Sequence, residues 1–486
     1  MEEQKPPEAP AAPAKGRGLW IGIIVVAIVI VILLAAVFGG LFAPAGPAGE
    51  DRILKIGTVL SITGGLAAFG ARNLLAVIMA VDEINDAGGV LGQSIPLFNQ
   101  NDDTKPAAAR TAAATLISQS RVDAIIGATG SGQCAVVVPV ARDNKVFEVS
   151  GSCTSVIFAN LTLTGGFWAR TAPPDLYQSI VAASYARTNL TLSRAASIGI
   201  NNPYGVGLAQ LFADNFERFG GTITTNSPRI VTEVQFGATD YTTDLEAALD
   251  VTPAPEIVYI VAYPPDGILM MKNFEAGKAT HPGWANVKLL FSEGVFEQAA
   301  FLDILSKAPN NFDISGYEGT APSAFGGVTG PLFAAWEATY KAKWGLAPFL
   351  FDDNNYDAAY LIALAAQKAG SATGQAIKDN IFAVANPPGT EIFAGEWAKA
   401  LGEISAGRDI NYQGASGAVD INQFGDSLSG YVIWGVDATN KAVNLEIFPE
   451  SLVTSLLPAP PSTAPATAVV RERAPMWSPE ARVRDT

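Results

Sequence analysis

Histidine and cysteine are scarce in this sequence. Its 486 residues include one histidine, His281, and two cysteines, Cys134 and Cys153. Structural zinc sites and disulfide scaffolds need more of these residues, so both classes are excluded. Catalysis through a Ser-His or Cys-His pair would have to use His281 alone. We therefore expect a protein that is not an enzyme and that holds no metal or cofactor.

Basic residues are also few. Lysine and arginine total 31 against 46 acidic residues, which gives a formal net charge of -15. A nucleic-acid binder would need a basic face for the phosphates, so this class is disfavoured. The chain is long and 49% hydrophobic, which allows large cores in more than one domain.

A long apolar run lies near the N-terminus. Residues 19–42 contain no charged side chain, and a helix of about 20 apolar residues spans the ~30 Å hydrocarbon layer. Lys15 and Arg17 precede the run, so by the positive-inside rule residues 1–18 form a cytoplasmic tail and the rest is extracytoplasmic. The sequence thus predicts a single-pass membrane anchor at 19–42.

Two alternatives remain for this segment. It could be a secretory signal cleaved at Ala43-Pro44-Ala45, although secretory apolar regions usually run about 7–15 residues. The residues before Leu19 also resemble an archaeal pilin-type processing site, and cleavage after Gly18 would leave the apolar helix on the mature protein.

From residue 53 to about 449, short β-branched runs alternate with amphipathic stretches. This alternation predicts parallel sheets covered by helices on both faces, and two such blocks of ~120 residues predict two similar lobes. Thr104 is expected to cap the helix that begins near Pro106. Residues 458–486 are rich in proline and alanine and are predicted to be a disordered tail.

Ligands of open α/β sheets bind in the loops that follow the carboxyl ends of strands. This rule selects the loops 61–70, 127–133, 150–155, 201–205, 262–266 and 292–296. They contain small polar residues, a few aromatic residues and one acid. Hydroxyls and backbone N–H groups at helix N-termini can hold a zwitterion.

The same loops carry motifs in a specific order. They are IGTVLSITGG (56–65), DEINDAGGVLG (82–92), NDDT (101–104), IGATGS (126–131), Arg170-Thr171 with Asp175, YGVG (204–207), SEGV (292–295), YDA (356–358) and Gly425-Asp426. Together they resemble the type I periplasmic-binding-protein family, in particular its branched-chain amino-acid branch, over nearly all of 53–449.

The resemblance implies a two-lobed fold with three crossings, near 171–174, 317–323 and 428–432. One lobe would comprise 51–171 plus 324–428, and the other 173–318 plus 430–457. Solute would bind in the cleft between the lobes, which would then close by a hinge motion.

In the family, hydroxyls on one wall of the cleft hold the ligand carboxylate. Ser131 and Thr154 match these positions, and Ser152 matches a main-chain contact. Ser131 could instead serve only as a helix N-cap.

On the opposite wall, the resemblance assigns Glu293 to the ligand ammonium group, since a buried carboxylate needs a positive partner. Tyr204 would lie at the same end, unless it is a core tyrosine. Phe69 corresponds to an aromatic lid over the ligand side chain, with a plain core phenylalanine as the alternative. Tyr263 is a further candidate.

Other residues have two interpretations. Cys134 and Cys153 lie in neighbouring loops beside the expected cleft and could be joined by a disulfide, which outside the cytoplasm is favoured over a reactive thiol. Asp102-Asp103 could suggest a metal, but a polar turn before a helix is the simpler interpretation. His281 is expected to be exposed and without a role.

These features predict an extracytoplasmic solute-binding protein of an ABC importer that delivers an amino acid to permease subunits. Alternatives are the ectodomain of a sensory system that signals through a separate partner, and an enzyme. The solute could be leucine, isoleucine or valine, another amino acid, or an amide.

Overall fold

The computed structural model describes residues 53–322 and 331–458, except for the side chains of 331 and 332. The predicted cytoplasmic tail (1–18), the anchor (19–42) and nearly all of the C-terminal tail lie outside these residues. Across the described residues, no helix is both long and apolar enough to cross a bilayer. The anchor and the tails therefore stay predictions.

The first sheet has five parallel strands. They are β1 (Ile56–Leu60), β2 (Leu97–Asn101), β3 (Ala124–Gly127), β4 (Phe147–Ser150) and β5 (Trp168–Arg170). Their order is β2-β1-β3-β4-β5, and all but β2 are buried along their whole length. Strands that are buried along their whole length are typical of parallel sheets covered on both faces. The helices here are α1 (Ala67–Asp86), α2 (Pro106–Thr115), α3 (Ser131–Asp143) and α4 (Leu161–Thr164).

The second sheet has eight strands in the order β16-β15-β11-β10-β9-β6-β7, with β8 beside β6. The strands are β6 (Arg194–Ile200), β7 (Thr222–Ile223), β8 (Arg229–Val231), β9 (Ile257–Val261), β10 (Lys288–Phe291), β11 (Glu318–Pro322), β15 (Tyr431–Val436) and β16 (Ala442–Phe448). Only the pairs that involve β15 are antiparallel. The helices are α5 (Asp175–Ser184), α6 (Pro203–Arg218), α7 (Thr242–Leu249), α8 (Pro264–Gly277), α9 (Asp303–Ser306) and, after β16, α14 (Glu450–Ser455).

Residues 331–418 return to the first sheet. They form helices α10 (Pro331–Trp344), α11 (Asp352–Ala369), α12 (Gly374–Ala385) and α13 (Trp397–Ser405), with a small sheet of β12 (Thr390–Phe393), β13 (Ile410–Gly414) and β14 (Gly417–Ala418). Helix α11 is buried from its first residue to Ala366. Its apolar side chains share one core with β1, β3 and β4, so this segment completes the first lobe.

The chain passes between the two sheets three times: from β5 to β6, from β11 to α10, and from β14 to β15. This α/β arrangement has the two lobes and parallel sheets that the sequence predicts. Strand β11 stays in the second sheet up to Pro322, where it pairs with Tyr431. We propose lobes of 51–171 with 324–428 and of 173–322 with 430–457, so that β11 belongs wholly to the second lobe, whereas the sequence prediction ended this segment at 318.

Two local predictions are wrong. Thr104 does not cap α2, because it adopts a positive φ of 58° and its hydroxyl instead accepts from Leu66 N (3.0 Å) and donates to Thr63 O (3.2 Å). His281 is not freely exposed, because its ring pairs with Asp250 (2.6 Å) and stacks on Trp284. Asp102 does form a polar turn, accepting from Ser61 Oγ (2.6 Å) and Thr104 N (2.8 Å).

Candidate functional site

The loops at the carboxyl ends of the strands meet around a cavity with about 320 Å³ of empty space, part of it open to solvent. It is lined by Leu66, Phe69, Thr129, Gly130, Ser131, Ser152, Thr154, Tyr204, Tyr263, Glu293, Gly294 and Phe351. All seven residues that the sequence singles out, from Phe69 to Glu293, are in this set. The structure therefore brings them together, from both lobes, at one place.

The wall from the first lobe is formed by hydroxyl groups. Ser131 is the first residue of α3, and its hydroxyl accepts a hydrogen bond from Ser155 N (3.2 Å). The N-cap position of α3 is Gly130 and Ser131 lies inside the helix, so the N-cap interpretation of Ser131 is wrong. Ser152 Oγ donates to Thr129 O (2.9 Å). Thr154 lies on the same short loop, two residues further along the chain.

Two constraints hold this loop in place. The first is a disulfide between Cys134, in α3, and Cys153. The second is Arg170, whose Nη1 donates to the carbonyls of Cys153 (3.1 Å) and Ser155 (2.8 Å), on either side of Thr154. Arg170 is itself fixed by a buried ion pair with Asp426 (2.6 Å). The backbone that carries Thr154 is thus set by covalent and charge-assisted bonds.

The wall from the second lobe is organised around Glu293. This residue begins a short 3₁₀ turn directly after β10. Its Oε2 accepts hydrogen bonds from Gln178 Nε2 (2.6 Å) and from the Tyr204 hydroxyl (2.9 Å). The Tyr204 oxygen also lies 2.8 Å from the Ser292 hydroxyl. Its ring stacks on Tyr263, with the ring centroids 5.6 Å apart.

Acidic groups dominate the electrostatics of the cavity. Burial raises the pKa of Glu293 to about 7, although the donors Gln178 and Tyr204 oppose the shift. Asp175, at the start of α5, is also buried, and desolvation together with the charge of Glu293 raises its pKa well above the usual value. The Thr154 side chain and the charge of Arg170 both lower the pKa of Asp175 and offset this shift only in part. None of the described lining residues is basic, so a cationic group could neutralise the Glu293 carboxylate here.

The remaining lining is apolar. Phe69 is 3% exposed. It packs into the hydrophobic core that is formed mainly by residues of the second lobe, and it also lines the cavity. Its ring lies 5.2 Å from that of Phe349, and Leu66 and Phe351 extend the same surface. Phe69 is therefore a core residue that also lines the cavity, and its role as a lid over the ligand side chain stays a prediction. The surface is suited to an aliphatic or aromatic side chain.

Sequence reasoning missed several lining residues. Leu66, Thr129, Gly130 and Gly294 lie inside the selected loops but were not singled out. Phe351 lies outside every selected loop, because it precedes α11 and does not follow a strand. Its positive φ of 69° is unusual for a phenylalanine and carries no sequence signal. Among the described residues, no group of three His, Cys, Asp or Glu side chains could hold a metal ion.

Comparisons with known proteins agree with this architecture. The Halobacterium salinarum chemotactic signal transduction system substrate-binding protein BasB is 28% identical over 403 residues, which cover 78% of this chain and 86% of BasB. The Rhizobium johnstonii Leu/Ile/Val-binding protein BraC3 is 28% identical over 242 residues, 50% of this chain and 62% of BraC3.

The crystal structure of the Thermotoga maritima leucine binding protein LivK aligns with a TM-score of 0.64 at 23% identity, covering 82% of this chain and 99% of LivK. The profile of the periplasmic binding protein family matches residues 53–408. This match spans most of the chain, and the chain belongs to the periplasmic binding protein family.

Proposed function

We propose that this protein is the extracytoplasmic solute-binding subunit of an ABC importer and that its ligand is a branched-chain amino acid. The observation that supports this most directly is the cavity itself, which has hydroxyls on one wall and the Glu293 carboxylate on the other. Such an arrangement complements both ends of a zwitterion. The name of the relative BraC3 supports leucine, isoleucine or valine as the solute.

The mechanism we propose is capture without chemistry. The ligand carboxylate would be held by Ser131 and Thr154, with Ser152 contributing its main chain, and the ammonium group by Glu293 and Tyr204. The described conformation is nearly closed, since Ser131 is 2% and Glu293 3% exposed. A ligand would therefore enter an open form, and lobe closure would bury it. The closed form would dock on the permease, and other subunits would hydrolyse ATP.

The predicted N-terminal helix would keep this subunit at the outer surface of the cell membrane. An enzymatic role has little support, because both cysteines are in the disulfide and His281 does not line the cavity.

The similarity to BasB over 403 residues favours a second candidate function. Here the same ligand capture would inform a chemotaxis system through a separate signalling partner. Deleting the gene distinguishes the two functions: loss of leucine uptake with normal chemotaxis supports the importer, and the reverse result supports the sensor.

Recognition of both ends of the ligand can be tested by thermal unfolding of the full-length chain. L-Leucine, L-isoleucine and L-valine should raise Tm, because a ligand at 100 times its Kd stabilises the native state by about 2.7 kcal/mol. Isocaproate, which lacks the ammonium group, and isoamylamine, which lacks the carboxylate, should leave Tm unchanged. A shift with either analogue as large as that with L-leucine would contradict the proposal.

The affinity should also depend on pH. Burial raises the pKa of Glu293 in the empty site to about 7, and an ammonium ligand favours the ionised form, so binding should release a proton. Affinity for L-leucine should therefore rise with pH, by up to roughly tenfold per unit below the pKa of the empty site. Calorimetry between about pH 5.5 and 7.5 tests this, and in Glu293→Gln the dependence should disappear. A pH-independent affinity in the wild type would refute it.

A further inference from the structure

A second cavity, with about 630 Å³ of empty space that includes its opening to solvent, lies between the lobes and shares no lining residue with the first. Its lining comprises Pro106 and Gly132 from the first lobe and Asn201, Asn202, Pro203, Thr232, Glu233 and Phe236 from the second. The lobes approach closely here: a Cβ atom on Gly132 would lie 3.6 Å from Asn202 Cβ. The wall of this cavity is therefore assembled from both lobes.

One buried carboxylate dominates this second cavity. Glu233 is 1% exposed, and its Oε2 accepts a hydrogen bond from Gln235 Nε2 (2.6 Å). The Asn202 side chain also lowers the pKa of Glu233, whereas burial and the charge of Asp266 raise it, to about 7. A carboxylate has about four lone-pair sites, so these two amides leave acceptor capacity unused. The buried Gln235 Oε1 has no partner among the described residues.

Within the described parts of the chain, no basic side chain at the cavity wall balances this carboxylate. The lining includes no lysine, arginine or histidine. The basic residue next to the lining, Lys105, pairs with Asp103 (2.6 Å). Pro106 and Pro203 stand at the first turns of α2 and α6 and lack the N–H that would otherwise attract an anion. The cavity thus offers acceptors and negative charge.

An exposed aromatic ring completes the cavity. Phe236 is 52% exposed, and it lies three residues after Glu233, at the end of the 3₁₀ turn Val234–Phe236. An exposed phenylalanine next to a carboxylate matches the chemistry of an organic cation, since a cation can bind the ring face and the acid together. We propose that this cavity is a second binding site, for an alkylammonium or alkylguanidinium group held by the Glu233 carboxylate and the Phe236 ring.

Calorimetric titration of the full-length chain in a non-ionic detergent, with n-butylammonium as the probe, tests this site. We expect the wild type to bind n-butylammonium saturably. It should not bind n-butanol, which lacks the charge. Glu233→Gln should weaken n-butylammonium binding at least about tenfold and Phe236→Ala about threefold. Asp214→Asn removes an exposed acid on α6 and should have no effect. Phe236→Ala keeps the test valid if Glu233→Gln is poorly folded.

Titration with L-arginine shows whether the cationic group is the side chain of an amino acid bound in the first cavity or a separate ligand. If Glu233→Gln and Glu293→Gln both weaken L-arginine binding, the cationic group belongs to an amino acid that also occupies the first cavity. If only Glu233→Gln weakens it, the cation is a separate ligand. The site is refuted if neither probe binds saturably, or if Glu233→Gln binds n-butylammonium as the wild type does. L-Leucine affinity should be unchanged in Glu233→Gln, so this outcome is independent of the proposed function.

Discussion

Glu293→Gln should weaken L-leucine binding by at least about 2 kcal/mol, which is roughly a 30-fold increase in Kd. Glu293 is 3% exposed and no lining residue is basic. In the proposed complex, the ligand ammonium is therefore its charge partner. Glutamine keeps the size and can still accept from Gln178 and Tyr204, so the substitution removes the charge with little change in packing. The buried ammonium would then be unpaired.

The control for this experiment is Glu217→Gln, which removes an exposed acid from α6 and should leave Kd unchanged. Thermal unfolding without ligand checks folding. Glu293→Gln should be at least as stable as the wild type above about pH 7, because ionised Glu293 repels Asp175 and is desolvated in the empty site. Calorimetric affinity equal to that of the wild type would remove Glu293 from the ligand site.

Removing the disulfide with Cys134→Ala and Cys153→Ala should lower the free energy of unfolding by about 3 kcal/mol. The two cysteines are 19 residues apart and both fully buried. Closing a loop of this length lowers the conformational entropy of the unfolded chain, which corresponds to a stabilisation of about 3 kcal/mol. Ligand binding should weaken as well, because the bond ties the loop of Ser152 and Thr154 to α3, where Ser131 lies.

Urea unfolding of the double variant measures this effect. The reduced wild type is the matched reference, since its unfolded chain is equally unconstrained, and its midpoint should fall close to that of the variant. A double variant whose unfolding free energy matches that of the oxidised wild type would show that the bond adds no stability.

Much of the fold was predictable because its signals are local. Buried parallel strands are short apolar runs, as in β9 (Ile257–Val261), and glycine pairs such as Gly88-Gly89 mark the ends of helices. The strand-end rule then selected the loops that meet at the cavity. Ser131, Thr154 and Glu293 could be singled out only because their loops also carry a family motif.

What could not be predicted depends on contacts between distant segments. Phe351 reaches the cavity from the turn before α11, and the interaction of Asp175 with Glu293 depends on how α5 packs beside β11. Thr104 resembles a capping residue in sequence, yet its hydroxyl is used by the 63–66 loop. Glu233 is an ordinary acid in the sequence, and its burial arises only when the chain folds.

A crystal structure of the protein with L-leucine examines the proposed recognition most directly. The amino nitrogen should lie within about 3.2 Å of a Glu293 carboxylate oxygen, and the ligand carboxylate within hydrogen-bond distance of the Ser131 and Thr154 hydroxyls. L-Leucine bound in the reverse orientation, or bound elsewhere while this cavity stays empty, would contradict the account.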